Sequence, residues 1–223
     1  TGLNCDELEK ECLQLIKENT DMSPVTVKAM VFDYILRKGR LAVDKYGFFC
    51  EKVDGRRIMP RITWRKMDDC RKENLPELYE AEVKAENGGL YAAHFDFGHI
   101  SLDSRKLLKY GIGGLLERVH TARDKKTSLT EDQKVFYDAC EMSLNALSHY
   151  FQRLSEAVKE RDRDVSDCLL KISTKAPETT YEALQLLIGY LYVHEYIGGA
   201  RDRTLGRLDD CLYPYYKNDL SSG

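Results

Sequence analysis

His99 follows Gly98 where an apolar stretch gives way to a helical pattern. An imidazole so placed can hydrogen-bond a hydroxyl or carry a proton near neutral pH. A lone histidine is more often structural, so the residue alone leaves both roles open. The second concentration of polar chemistry lies further on, where Arg201-Asp202-Arg203 and Arg207-Leu208-Asp209-Asp210 flank Gly206. Charges there crowd a turn bracketed by an apolar helix and the aromatic segment Leu212-Tyr213-Pro214-Tyr215-Tyr216. On residue type, Arg201 and Asp202 read as a surface ion pair worth at most ~1 kcal/mol, and Arg207 with Asp209 as a bidentate brace of the turn. Asp96 and Asp103 flank His99, and either could orient its ring; helix capping suits Asp103 better. The tyrosine cluster reads as core closure rather than a stacking platform.

The seven cysteines are odd in number and scattered without Cys-x-x-Cys or His–Cys clustering, which indicates neither a disulfide framework nor a zinc site. No metal site and no catalytic thiol is expected among them, and a reducing cytoplasm is the compartment they suit.

These groups need elements to hold them. Asn4 can cap a helix over residues 4–18, with Leu8, Cys12, Leu15 and Ile16 on its buried side. Ser23-Pro24 opens another, striped by Val27, Met30, Val31, Tyr34 and Ile35 and ended by Gly39. Residues 46–53 and 57–64, separated by Asp54-Gly55-Arg56, have the turn and β-branched content of a short hairpin. A short helix follows over 76–86. The helical pattern of 102–120 contains Gly111, Gly113 and Gly114, each costing about 1 kcal/mol relative to Ala; close packing is the expected reason. Thr130-Glu131-Asp132-Gln133 is a capping box for a long helix reaching Lys159, its buried side including Val135, Phe136, Ala139, Leu147, Tyr150, Phe151, Leu154 and Val158. After the charged junction 159–164 come a helix over 165–173 and a second box, Thr179 with Glu182. That box starts a helix carrying Leu184, Leu187, Ile188 and Leu191 and stopped by Gly198-Gly199.

With 223 residues, 43% hydrophobic and 32% charged, the chain is expected to fold as one globular unit spanning residues 1–223, mainly α with a few short β-strands. A net charge of −3 offers no basic field for nucleic acid. The longest apolar run, broken by Gln185, His194 and Glu195, is too short for a membrane span, and no signal peptide is read at Thr1. Neither nucleic acid nor membrane is an expected partner.

The string EALQ…GGxRxxxLGRLDDxLYPYYxxDL, together with Phe97-Gly98-His99-Ile100-Ser101-Leu102-Asp103 and Lys109-Tyr110-Gly111-Ile112-Gly113-Gly114-Leu115, resembles the pyruvate formate-lyase-like glycyl radical enzymes, in particular their glycerol dehydratase-like branch. The resemblance implies the amino-terminal part of a ten-stranded α/β barrel. It implies a small-molecule substrate, bound by His99, Arg201 and Asp202, and a glycyl radical installed by an S-adenosylmethionine-dependent iron–sulfur activase. Arg201 and Asp202 stand where the glycerol dehydratases carry a His-Ser pair. His99 stands where pyruvate-cleaving members carry arginine, whose permanent charge and rigid fork suit a carboxylate; histidine suits a hydroxyl, which implies dehydratase or C–X lyase chemistry. No radical-cysteine or radical-glycine loop is identified among the 223 residues, so the chain alone is expected to be inactive and to bind no cofactor. Apolar surface left uncovered would favour a homo-oligomer. Pyruvate formate-lyase proper, a non-catalytic helical scaffold and an unrelated small-molecule binding domain are the alternatives.

Overall fold

Five of the helices begin where a side chain satisfies orphaned amides. In the computed structural model, which describes residues 2–43, 47–49, 56–90, 100–199 and 203–222, Asn4 accepts from the amides of Asp6 and Glu7 at 3.0 Å to open Cys5–Glu18 (α1). Thr130 and Gln133 form the reciprocal box that opens Glu131–Val158 (α6), and Thr179 and Glu182 the one that opens Thr180–Tyr192 (α8). Asp103 caps Ser104–Asp124 (α5) and Asp162 caps Arg163–Ile172 (α7). Pro24–Lys38 (α2) and Pro76–Asn87 (α4) start on proline, whose missing N–H costs nothing at a first turn.

The long helix α6, 28 residues and thus ~42 Å, is the axis around which the rest packs. Its Ala146, Tyr150, Phe151, Leu154 and Val158 are buried in one continuous core with Ile35 and Leu36 of α2, Leu108 and Ile112 of α5, Leu169 and Ile172 of α7 and Leu186 of α8. Polar ties fix the helices against one another. The half-buried Arg153 guanidinium on α6 donates to the carbonyls of Leu36 (2.5 Å) and Gly39 (2.7 Å), closing the C-terminus of α2 with a cation where the helix dipole is negative. Between α6 and α7 the buried Ser155 hydroxyl bonds the Ser166 carbonyl at 2.8 Å. Lys171 of α7 spans Glu178 (2.6 Å) and Glu182 (2.8 Å) at the start of α8.

Three expectations are corrected. Residues 57–64 form no strand: Ile58–Asn74 is a helix (α3), in which Ile58 and Ile62, four apart, are both buried. The 3.6-residue period of the apolar positions overrides the β-branched content, and Pro60 is tolerated because the first turn has no intrahelical N–H bonds to lose. The hairpin's other arm lies largely outside the described residues. Second, Phe136 is 58% exposed rather than buried, since it lies on the outer flank of the α6 stripe. Third, the aromatic segment closes the core only in part. Leu208–Ser222 is a helix (α9) containing Pro214, and it turns Cys211, Leu212 and Tyr215 to the core while Tyr213 and Tyr216 stay 61% and 52% exposed.

The only named strands among the described residues are two short ones, Ile100–Ser101 (β1) and Arg203–Thr204 (β2), paired in parallel. A parallel pair needs a long crossover, here supplied by α5 to α8 together. Tyr192 is followed by a π-helical turn, Val193–Ile197, before Gly199 at φ 74° ends the run.

Candidate functional site

The β1–β2 pairing is what positions the two stretches that the sequence nominates. Ile100 lies opposite Arg203 and Ser101 opposite Thr204. Each strand runs directly into a helix, β1 into α5 and β2 into α9, and the two strand–helix units are locked by side chains. Ser104 Oγ donates to the Leu205 carbonyl at 3.3 Å, and Arg105 of α5 pairs with Asp210 of α9. Gly206, at φ 69°, makes the turn, its amide bonded to Thr204 Oγ1 at 3.0 Å. A cavity of about 330 Å³ lies under this junction, lined by Leu102, Ser104, Leu205, Gly206 and Cys211 among others.

His99, Arg201 and Asp202, the residues expected to bind substrate, lie outside the described residues, as does Asp96. The residues that directly follow His99 and Asp202 in sequence, Ile100 and Arg203, are strand partners. Asp103 is committed to capping: it accepts from the Lys106 amide at 3.1 Å and pairs with Lys106 Nζ at 2.7 Å, and these bonds hold its carboxyl below the usual range. Arg207 and Asp209 form the expected fork, both bonds 3.1 Å. At 72% exposure on each side chain, solvent screens it, so it steadies the turn and adds little stability.

One Cys-x-Glu spacing, the setting of the radical cysteine in the family that the sequence resembles, does occur in Cys5-Asp6-Glu7. The local structure uses it otherwise. Glu7 reaches back to the Asn4 amide at 2.8 Å, and Cys5 is fully buried with Arg61 Nη1 donating to its sulfur at 3.2 Å. Burial pushes the Cys12 and Cys168 thiols up to about 12, far from the reactive range. No group of three or more His, Cys, Asp or Glu able to hold a metal occurs among the described residues, and no helix there is long and apolar enough to cross a membrane.

The feature that sequence reading passed over is His194. On the π-helical turn its Nε2 stands 3.1 Å from the Tyr190 hydroxyl, the rings meeting edge to face at 4.9 Å. Both line a cavity of about 810 Å³ bounded by α2, α3, α5, α6 and α8. In the sequence, the signal was a histidine interrupting an apolar run four residues after a tyrosine; a structural core position explained it equally well.

The family profile described as pyruvate formate lyase-like matches residues 65–223. Among curated proteins, the chain is 24% identical over 140 residues to (2S)-3-sulfopropanediol dehydratase of Klebsiella oxytoca, covering 56% of this chain and 17% of that protein. It is 28% identical over 138 residues to a protein of Escherichia coli K12 named probable dehydratase YbiW, covering 55% and 17%. The chain thus aligns with about a sixth of the length of these relatives. Its fold is similar to glycerol-bound B12-independent glycerol dehydratase from Clostridium butyricum (TM-score 0.70, 17% identity, 95% of this chain and 34% of that one). A second similar fold is hydroxyproline dehydratase from Clostridioides difficile with trans-4-hydroxy-L-proline bound (TM-score 0.66, 17% identity, 97% and 35%).

Proposed function

The chain belongs to the pyruvate formate lyase-like family, and on that premise we propose that it builds part of the substrate-pocket wall of a glycyl radical dehydratase. The observation that carries this reading is the parallel pairing of β1 with β2. It ties together, across a long crossover, the two segments whose motifs carry the resemblance, and it supports one pocket receiving His99 from the first and Arg201 and Asp202 from the second. The whole chain acts as one unit of the barrel to which such enzymes belong.

The radical supplies hydrogen-atom abstraction in the complete enzyme, and an activating protein is its partner. The polar work falls to residues of this chain. The His99 imidazole donates a proton to the departing hydroxyl, which leaves as water rather than hydroxide. Arg201 holds an acidic group of the substrate through its fork, and Asp202 accepts from a substrate hydroxyl or amine. Three of the similar proteins carry names that concern sulfopropanediol, glycerol and hydroxyproline, all hydroxylated small molecules, and we assign this chain the same substrate class.

Kinetics of the complete, activated protein test the assignment. His99→Ala is expected to lower kcat on a hydroxylated substrate by about 10²-fold or more, whereas Arg201→Ala raises KM chiefly. A His99→Ala protein with unchanged kcat would remove His99 from the reaction.

A further inference from the structure

The 810 Å³ cavity falls in the size range of small-molecule sites, about 300–1,000 Å³, and has their composition, apolar walls with a few convergent polar groups. Phe32, Leu115, Leu144 and Val193 contribute to the walls. At its rim stand Val25 and Phe136, 49% and 58% exposed, apolar groups carried into solvent on helices whose other faces already fill the core. The His194–Tyr190 pair is its polar feature on the π-helical side. π turns insert one residue into a helix, re-aim the side chains that follow, and recur at functional sites.

A phenol hydroxyl is both donor and acceptor. Whichever role the Tyr190 hydroxyl takes toward His194 Nε2, it keeps the other for a third group. A ligand hydroxyl can meet either requirement, whereas a carbonyl only accepts and an ammonium only donates. We infer that this cavity binds a compact, largely apolar molecule bearing a single hydroxyl, its ring or chain against the aliphatic walls and its hydroxyl on Tyr190.

The probes are 2-naphthol, which has the ring and the hydroxyl, and naphthalene, which lacks the hydroxyl, titrated by fluorescence into the full chain. Binding of 2-naphthol is expected, with Tyr190→Phe lowering its affinity about tenfold, the worth of one hydrogen bond, and leaving naphthalene within twofold. Ser143→Trp, which fills the cavity from α6, should abolish both. Because that variant can also disturb folding, a second readout uses the native protein: Cys140 lines the same cavity, so 2-naphthol should slow its alkylation by N-ethylmaleimide several-fold, followed by peptide mass spectrometry. No 2-naphthol binding, equal loss of both probes in Tyr190→Phe, or an unchanged Cys140 alkylation rate would each overturn the assignment.

Discussion

At Cys12 and Cys168 the side chain itself dictates a measurable property. Burial disfavours the thiolate, so both folded thiols stay neutral up to about 12, whereas an unfolded thiol ionises near pH 8.5. The sign follows from linkage. Below the unfolded value both states are protonated and stability is complete; as pH rises toward 12 only the unfolded chain is stabilised by losing protons, and folding stability falls. Urea midpoints at pH 7 and pH 10.5, under reductant, should therefore show an alkaline loss that is shallower in the Cys12→Ala, Cys168→Ala double variant. An identical pH slope in that variant would contradict the assignment. Tyr34, pushed up to about 12 by its hydrogen bond to Glu11, contributes loss of the same sign that the double variant retains. His99, Arg201 and Asp202 are nominated in the sequence by motif alone. Nothing about an isolated histidine at position 99 separates a ligand from a core group, and His194 was passed over for the same reason.

At the scale of elements, the helix starts were legible because capping is local: Asn4, Asp103, Thr130 and Thr179 all do what their spacing implies. What failed depended on partners distant in sequence. The segment 57–64 became helix because Ile58 and Ile62 find the core together, and the π turn is a single-residue insertion that leaves no mark on the apolar period. The glycines of α5 show both sides. Close packing was the expected explanation, and Gly111, at φ 60°, kinks the helix with the backbone of Ala176 2.7 Å from where a Cβ would stand. At Gly113 that Cβ would meet the Thr174 carbonyl oxygen at 1.9 Å, while at Gly114 it would meet only Tyr110 Cβ at 3.2 Å. Gly113→Ala should therefore cost about 3 kcal/mol in urea unfolding, since backbone has to shift. Gly114→Ala should be neutral or gain up to about 1 kcal/mol of helix propensity. Equal effects at the two positions would show that the approach of α5 to the α7–α8 connection is looser than described.

For the whole molecule, a mainly helical class and the family were readable, the first from apolar periodicity and the second from two ordered motifs flanking the crossover. The parallel pairing of those motifs was not readable, because strands of two residues carry no periodic signal and their partnership depends on four intervening helices. That pairing makes sense of the resemblance physically, since it gives both motifs one place in the fold. The central claim is that the pocket so framed eliminates a leaving group from a hydroxylated substrate and does not cleave pyruvate. Product analysis on the complete, anaerobically activated protein tests it most directly. The account predicts a dehydrated product from a hydroxylated substrate, lost in His99→Ala, and no formate from pyruvate with coenzyme A. Formate formed from pyruvate and coenzyme A, at a rate that His99→Arg leaves unaltered, would contradict it.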